Sequence, residues 1–247
     1  MKTKFIMVGL LAASSLAMGQ KVKSQKEAEA VQAVLSATTP DQKIAAVDNL
    51  LSKFKDTEFK AITLGMAGEA YQQKGDSANA IVYGNRALEA DPKNFQAMLL
   101  ISGELAQITK EFDLDKDEKV KRATKLANDA ITTINAAAKP NPKLTDEQWE
   151  GVKKDLVAQA HETLGVIASI DKHWDVSIAE FKTAIDGAAN PEVTSMVRLA
   201  AAYNNDKKYA EAAAMADKVV AIPGVADNIK KVAQEEKQRA VKGQTQK

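Results

Sequence analysis

Two histidines, a run of alternating aspartates and two tryptophans are the residues of this chain best suited to chemistry. His161 and His173 are the only histidines, and cysteine is absent. A metal centre needs three or four ligands at close spacing, and no third ligand stands near either imidazole. Both read as structural histidines rather than as ligands or general bases. Asp113-Leu114-Asp115-Lys116-Asp117 has the alternating carboxylates that open a calcium loop. The pattern then fails: Glu118 takes the glycine position, and Thr124 stands where a bidentate glutamate is needed. The stretch reads as a solvated inserted turn. Glu235 and Glu236 are neighbours, so on a helix they point about 100° apart and read as surface charge. Trp174 reads as a packing residue between helices, and Trp149 as part of an extended region. No glycine-rich phosphate loop, G-x-S-x-G elbow or H-E-x-x-H pair occurs. The expectation is a protein with no catalytic residue, no cofactor and no metal.

What must position these residues follows from composition. The chain has 247 residues, 27% charged and 45% hydrophobic, with a net charge of +1. That length suits one large domain or two small ones. Near-neutral charge disfavours nucleic acid as a partner. The lack of cysteine excludes disulfides and thiol chemistry. With 12 glycines, 6 prolines and only 5% aromatic residues, the composition favours helices over sheets.

Met1 to Gln20 has the layout of a secretory signal. Lys2 and Lys4 precede the apolar run Phe5 to Ala13, and Ala17-Met18-Gly19 is a small-x-small cleavage pattern. Cleavage after Gly19 leaves a mature chain of net charge −1, since Lys2 and Lys4 are lost. The apolar run is short for a bilayer span, and no cysteine follows it for lipid attachment. The expectation is an exported protein from a bacterial source, periplasmic or secreted, with no stable membrane insertion after cleavage.

Helical punctuation follows. All six prolines fall between periodic apolar segments, where the missing N–H does least harm. Ile44, Val47, Leu50, Leu51 and Phe54 form one face of a helix opened by Pro40-Asp41. No strand-like alternation bounded by turn signals occurs.

Self-similarity completes the reading. Ala61 to Asn94 carries Gly68, Tyr71, Gly75-Asp76, Ala80, Ala87 and Asp91-Pro92. This stretch resembles a tetratricopeptide repeat, a helix–turn–helix unit of about 34 residues. Gly68 and Ala80 would let the two helices approach closely, and Tyr71 would fill the gap between them. Related patterns recur at His161 to Pro191 (Leu164-Gly165, Ser177, Phe181) and at Met196 to Val219 (Ala200, Tyr203, Ala212). A split copy has a first helix at about Phe95 to Ile108. Its second, with Ala123, Ala127 and Ala130, is delayed about nine residues by the polar stretch Glu111 to Glu118. A degenerate copy spans Ser24 to Phe54, and a mixed-charge helix at about Val225 to Ala240 would cap the array. The expected fold is all-α, a right-handed α-solenoid. Residues 20–138 would form an N-terminal half and 139–247 a C-terminal half, divided at the Pro140/Pro142 linker.

The resemblance implies a non-enzymatic scaffold that binds a protein or peptide along a concave face lined by the first helices. The inward residues would be Ile62, Met66, Glu69 and Gln73; Gln96, Leu99, Leu100 and Gln107; Gln159, Thr163, Val166 and Ile170; and Thr194, Arg198, Ala201 and Asn205. Met66, Leu99 and Leu100 would form an apolar anchor. The carboxylate clamp of chaperone-binding relatives needs Lys and Asn where Gly65 and Glu69 stand, so an acidic C-terminus is disfavoured. Two alternatives remain: an envelope assembly or secretion accessory protein, from the loose likeness of Phe54-Lys55-Asp56-Thr57 to a helix-ending motif, and a small-ligand binder or enzyme using the tryptophans or histidines.

Overall fold

The computed structural model describes residues 21–246, so the secretory-signal expectation lies outside the described residues. Among the described residues there are eleven α-helices and no strand. They are α1 Gln25–Ser36, α2 Pro40–Lys53, α3 Lys60–Gln73, α4 Ser77–Ala90, α5 Phe95–Ile108 and α6 Lys116–Ala136. There follow α7 Asp146–Ile170, α8 Trp174–Gly187, α9 Val193–Asn205, α10 Tyr209–Ala221 and α11 Asp227–Thr245. No described helix is long and apolar enough to cross a membrane.

Local chemistry starts these helices where the sequence does. The Ser24 hydroxyl accepts from Glu27 N at 3.1 Å. Thr39 and Gln42 form a reciprocal capping box on α2, with Pro40 at its first turn. Asp76 caps α4 by accepting from Asn79 N at 3.1 Å. Thr145 and Gln148 cap each other at the start of α7 (2.9 and 3.1 Å). Each such cap satisfies backbone N–H groups that have no partner within the helix.

The described chain forms two compact units. The first holds the residues up to Ile108 together with Thr132–Glu150; the second holds Thr109–Ile131 together with Gly151 onward. This differs from a division at 138/139. The proline linker closes on itself within the first unit: the Trp149 indole donates to Ala137 O at 3.4 Å, and Lys139 pairs with Asp146 at 2.6 Å. Trp149 is therefore helical and buried, not part of an extended region.

In the first unit the core runs from Val31 and Val34 through Val47, Leu50, Phe59 and Leu64. Leu51 and Phe54 pack on it from the expected face of α2. The α3–α4 pair sits tightly because its contact residues are small. A Cβ on Gly68 would lie 3.2 Å from Ala80 O and 2.6 Å from Leu100 Cδ2. Tyr71 stacks obliquely on Tyr83 with ring centroids 5.0 Å apart. In the second unit, Ser177 Oγ donates to Gly165 O at 3.0 Å, and a Cβ on Gly165 would lie 2.8 Å from the Phe181 ring. Ala200 and Ala212 are fully buried where α9 packs on α10. Helix α11 buries little besides Ala233 and Ala240, in keeping with a capping helix.

Three interhelical turns are built alike. Gly75 N donates to Gln72 O and Asp76 N to Tyr71 O, a Schellman closure. Lys172 N to Ser169 O with His173 N to Ala168 O repeats it, as does Lys207 N to Asn204 O with Lys208 N to Tyr203 O. The pivotal residue has φ 73° at Gly75, 56° at Lys172 and 59° at Lys207. A lysine in this left-handed conformation costs about 1 kcal/mol that glycine avoids. Lys207→Gly should therefore stabilise the fold by about 0.5–1 kcal/mol, read as a higher denaturant midpoint with unchanged slope.

Candidate functional site

Helices α3 and α5 present the polar residues expected on the inner face of the first unit. Gln73 and Gln107 are exposed, and neither side chain makes a hydrogen bond within the described fold. Gln96 is half-buried. Gly65 is buried, yet a Cβ on it would meet nothing within 4 Å, and the same holds at Gly103. Gly65, Glu69 and Gln73 lie one turn apart along one face of α3. Each of the two helices thus carries a glycine with open space beside it.

Glu69 is the charged group on that face of α3. It is partly buried, and no described residue donates a hydrogen bond to it. Burial pushes its carboxyl up to about 7, and the ammonium of Lys43 on α2 pulls it only part of the way back. Lys43 is itself lowered by burial, and its Nζ donates to Val34 O at 2.5 Å. Glu104 on α5 is fully buried and accepts from Gln72 Nε2 at 2.6 Å.

The expected apolar anchor is corrected by the structure. Met66, Leu99 and Leu100 are only 7%, 3% and 5% exposed. Leu100 wedges against Gly68 and Gly84, so it belongs to the packing between helices. Ile62 is partly buried against the same core.

The second unit uses most of its expected groove residues internally. Thr163 is buried and donates to Gln159 O at 3.1 Å. Val166 packs on Ile178, Phe181 and Leu199, and Ile170 is partly buried. Arg198 is paired with Glu162. Asn205 accepts from Arg239 Nη2 at 2.5 Å. Gln159 and Thr194 are exposed, and Ala201 is partly buried.

Most of the residues whose types best suit chemistry are engaged within the fold. His161 Nδ1 lies 2.7 Å from Glu180 Oε2, a bridge between α7 and α8. His173 precedes α8 and is exposed, and Trp174 at its first turn is half-buried. Asp113 and Asp115 both pair with Lys119, at 3.1 and 2.8 Å. Among the described residues, no group of three or more histidine or acidic side chains is placed to hold a metal. Glu236 is not simple surface charge: Asn204 Nδ2 donates to its Oε2 at 2.7 Å and to its carbonyl at 2.9 Å. Alternation of acids hid one feature of the inserted turn: Phe112 and Leu114 stand 87% and 107% exposed.

The Glu69 carboxyl binds its proton more tightly in the fold than in the open chain. Its contribution to stability is therefore greatest below pH 4.5 and is lost as pH rises to about 7. Glu69→Gln should remove that decline, seen by comparing denaturation midpoints of the two proteins at pH 5 and pH 8. Leu99→Asp with Leu100→Asp should unfold the first unit, by more than about 4 kcal/mol, because two charges would enter a packed interface. Helical circular dichroism retained by that double variant would contradict the packing described.

Comparison with known proteins agrees with this architecture. Residues 61–94 match the family model of the tetratricopeptide repeat. No curated protein matches the chain by sequence. Among solved structures, a thermophilic tetratricopeptide-repeat protein of Thermus thermophilus superposes with a TM-score of 0.57 at 14% identity, over 80% of this chain and 90% of that one. MamA from residue 41 to its end, from Desulfovibrio magneticus RS-1, gives 0.60 at 16% identity, over 83% and 99%. A double mutant of MamA RS-1 gives 0.54 at 14% identity, over 91% and 98%. At these identities the likeness is one of fold. The chain has the all-helical fold of tetratricopeptide-repeat arrays, with its clearest repeat at residues 61–94.

Proposed function

We propose that this protein is an exported, non-enzymatic scaffold that binds a protein or peptide segment along the inner face of its first unit. Tetratricopeptide-repeat domains generally bind protein partners, and they typically act as scaffolds rather than enzymes. The observation that carries the reading is the open space beside a glycine on each of α3 and α5. Gly65 and Gly103 leave room for a backbone to lie against α3 and α5, and Gln73 and Gln107 have unused amide donors and acceptors. An extended segment has one N–H and one C=O per residue to offer such amides. Export rests on the Met1 to Gln20 pattern and places the scaffold in the periplasm or outside the cell.

The test is capture from an extract of the exported compartment. Immobilised wild type should retain a protein that a Gly65→Leu, Gly103→Leu variant does not. Both sites are open, so the variant should fold, and circular dichroism checks that it does. Equal capture by the filled variant would contradict the reading. Export itself is tested by N-terminal sequencing: a mature chain starting at Gln20 is expected, and an intact Met1 would refute it.

A further inference from the structure

We propose that copies of this chain associate head to tail, the inserted turn Lys110 to Glu118 of one copy seating Phe112 in the pocket beside α11 of the next. Both surfaces belong to the second unit, and the contact is independent of the partner proposed for the first.

The turn holds two apolar side chains in water. Phe112 and Leu114 are 87% and 107% exposed, while the next most exposed large apolar side chain among the described residues, Val82, is at 49%. The backbone that carries them is braced. Lys110 N and Lys119 Nζ both donate to Asp113 Oδ2 at 3.1 Å. Lys172 Nζ reaches Glu111 at 2.5 Å and Lys116 Nζ reaches Asp171 at 2.8 Å, which pins the turn to the connection between α7 and α8. The backbone therefore loses little freedom on docking.

The same unit carries a surface that complements the turn. A pocket of about 410 Å³ opens between the start of α10 and the end of α11, with Tyr209, Glu235, Gln238, Arg239, Lys242 and Gly243 in its lining. Gly243 lets the Tyr209 ring lie against α11, since a Cβ there would come within 2.4 Å of the ring. The ring and the aliphatic stems of Arg239 and Lys242 give a phenylalanine an apolar wall, and the cations suit its π face. Charge runs the same way. Lys110 to Glu118 holds two lysines and five acids, a net charge of −3, while α11 holds five basic and three acidic residues, a net charge of +2. Glu118 on the turn and Lys242 on α11 are exposed, and neither side chain has a partner among the described residues. An anionic lipid surface would repel a turn of this sign. Phe112 is exposed in the same fold that forms the pocket, so the two meet only between copies. The two surfaces differ, so the contact is heterologous and adds copy upon copy. Two side chains bury less than the ~1,200 Å² of a stable complex, so the association is weak and depends on concentration.

The chain has no cysteine, so single cysteines report the contact directly. Leu114→Cys and Gln238→Cys proteins, both altered at exposed positions, are mixed and mildly oxidised. The mixed disulfide dimer should form well ahead of either homodimer, and adding Lys242→Glu to the second protein should suppress it. In sedimentation equilibrium the wild type should show a mass that rises with concentration and falls back with added salt. Phe112→Ser with Leu114→Ser should sediment as a monomer throughout, with unchanged circular dichroism. A wild type that stays monomeric at every concentration would overturn the inference, as would association that survives the loss of Phe112 and Leu114. Homodimers that form as fast as the mixed dimer, or a mixed dimer indifferent to Lys242→Glu, would overturn the pocket as the seat of the turn.

Discussion

The close approach of paired helices at small residues is the constraint on which the rest depends. Gly68 faces Ala80, Gly165 faces Ser177, and Ala200 and Ala212 are buried where α9 meets α10. Each pair is twelve residues apart, which sets both the helix length and the turn between them. A larger side chain at any of these points would drive the helices apart and forfeit the contacts of everything stacked on them. Leu100 illustrates the dependence: it reaches across from α5 into space that exists only because Gly68 and Gly84 lack side chains. The turns follow from the same spacing. Once two helices lie this close, the chain has room for a Schellman closure and little else. Lys172 and Lys207 accept a left-handed backbone because the geometry demands one.

Glycine serves two opposite purposes in this chain. At 68, 84 and 165 it admits a neighbour, and at 65 and 103 it admits nothing from the fold. The second kind costs helix stability without returning packing. The open faces at Gly65 and Gly103 are the room that the proposed partner would use. In the second unit Arg198 is paired with Glu162 and Asn205 with Arg239, while Gln159 and Thr194 stay exposed. In the first unit Glu69, Gln73 and Gln107 make no side-chain hydrogen bond within the described fold.

Much of the fold was legible in the sequence. Proline placement, capping residues and helical periodicity located the helices. The small residues at Gly68, Ala80, Gly165 and Ser177 located the pairings, because a steric requirement leaves a local trace. What was not legible depends on distance and direction. Helix α5 is apolar on nearly every face, from Met98 through Leu99, Leu100, Ile101 and Leu105. Periodicity then cannot say which leucines turn inward, so two core residues read as an exposed anchor. Trp149 is tied to a carbonyl twelve residues back by a folded linker, and linker composition does not encode that return. The Glu236–Asn204 bond spans 32 residues and has no local signature. Glu69 was legible as a groove residue. Its burial and lack of a donor appear only once α2 and α3 are packed together.

The two kinds of glycine offer the most direct measurement. Alanine placed singly at 65, 103, 68 and 165 adds the same methyl group and the same helix propensity at each position. The account predicts opposite signs. Gly65→Ala and Gly103→Ala should raise stability by about 0.5–1 kcal/mol, since the methyl meets open space. Gly68→Ala and Gly165→Ala should lower it by about 1–3 kcal/mol, since the methyl meets Leu100 and Ala80 O in one case and the Phe181 ring in the other. Four denaturation curves decide the matter. Changes of one sign at all four positions would contradict both the close-packed helix pairs and the open faces at Gly65 and Gly103.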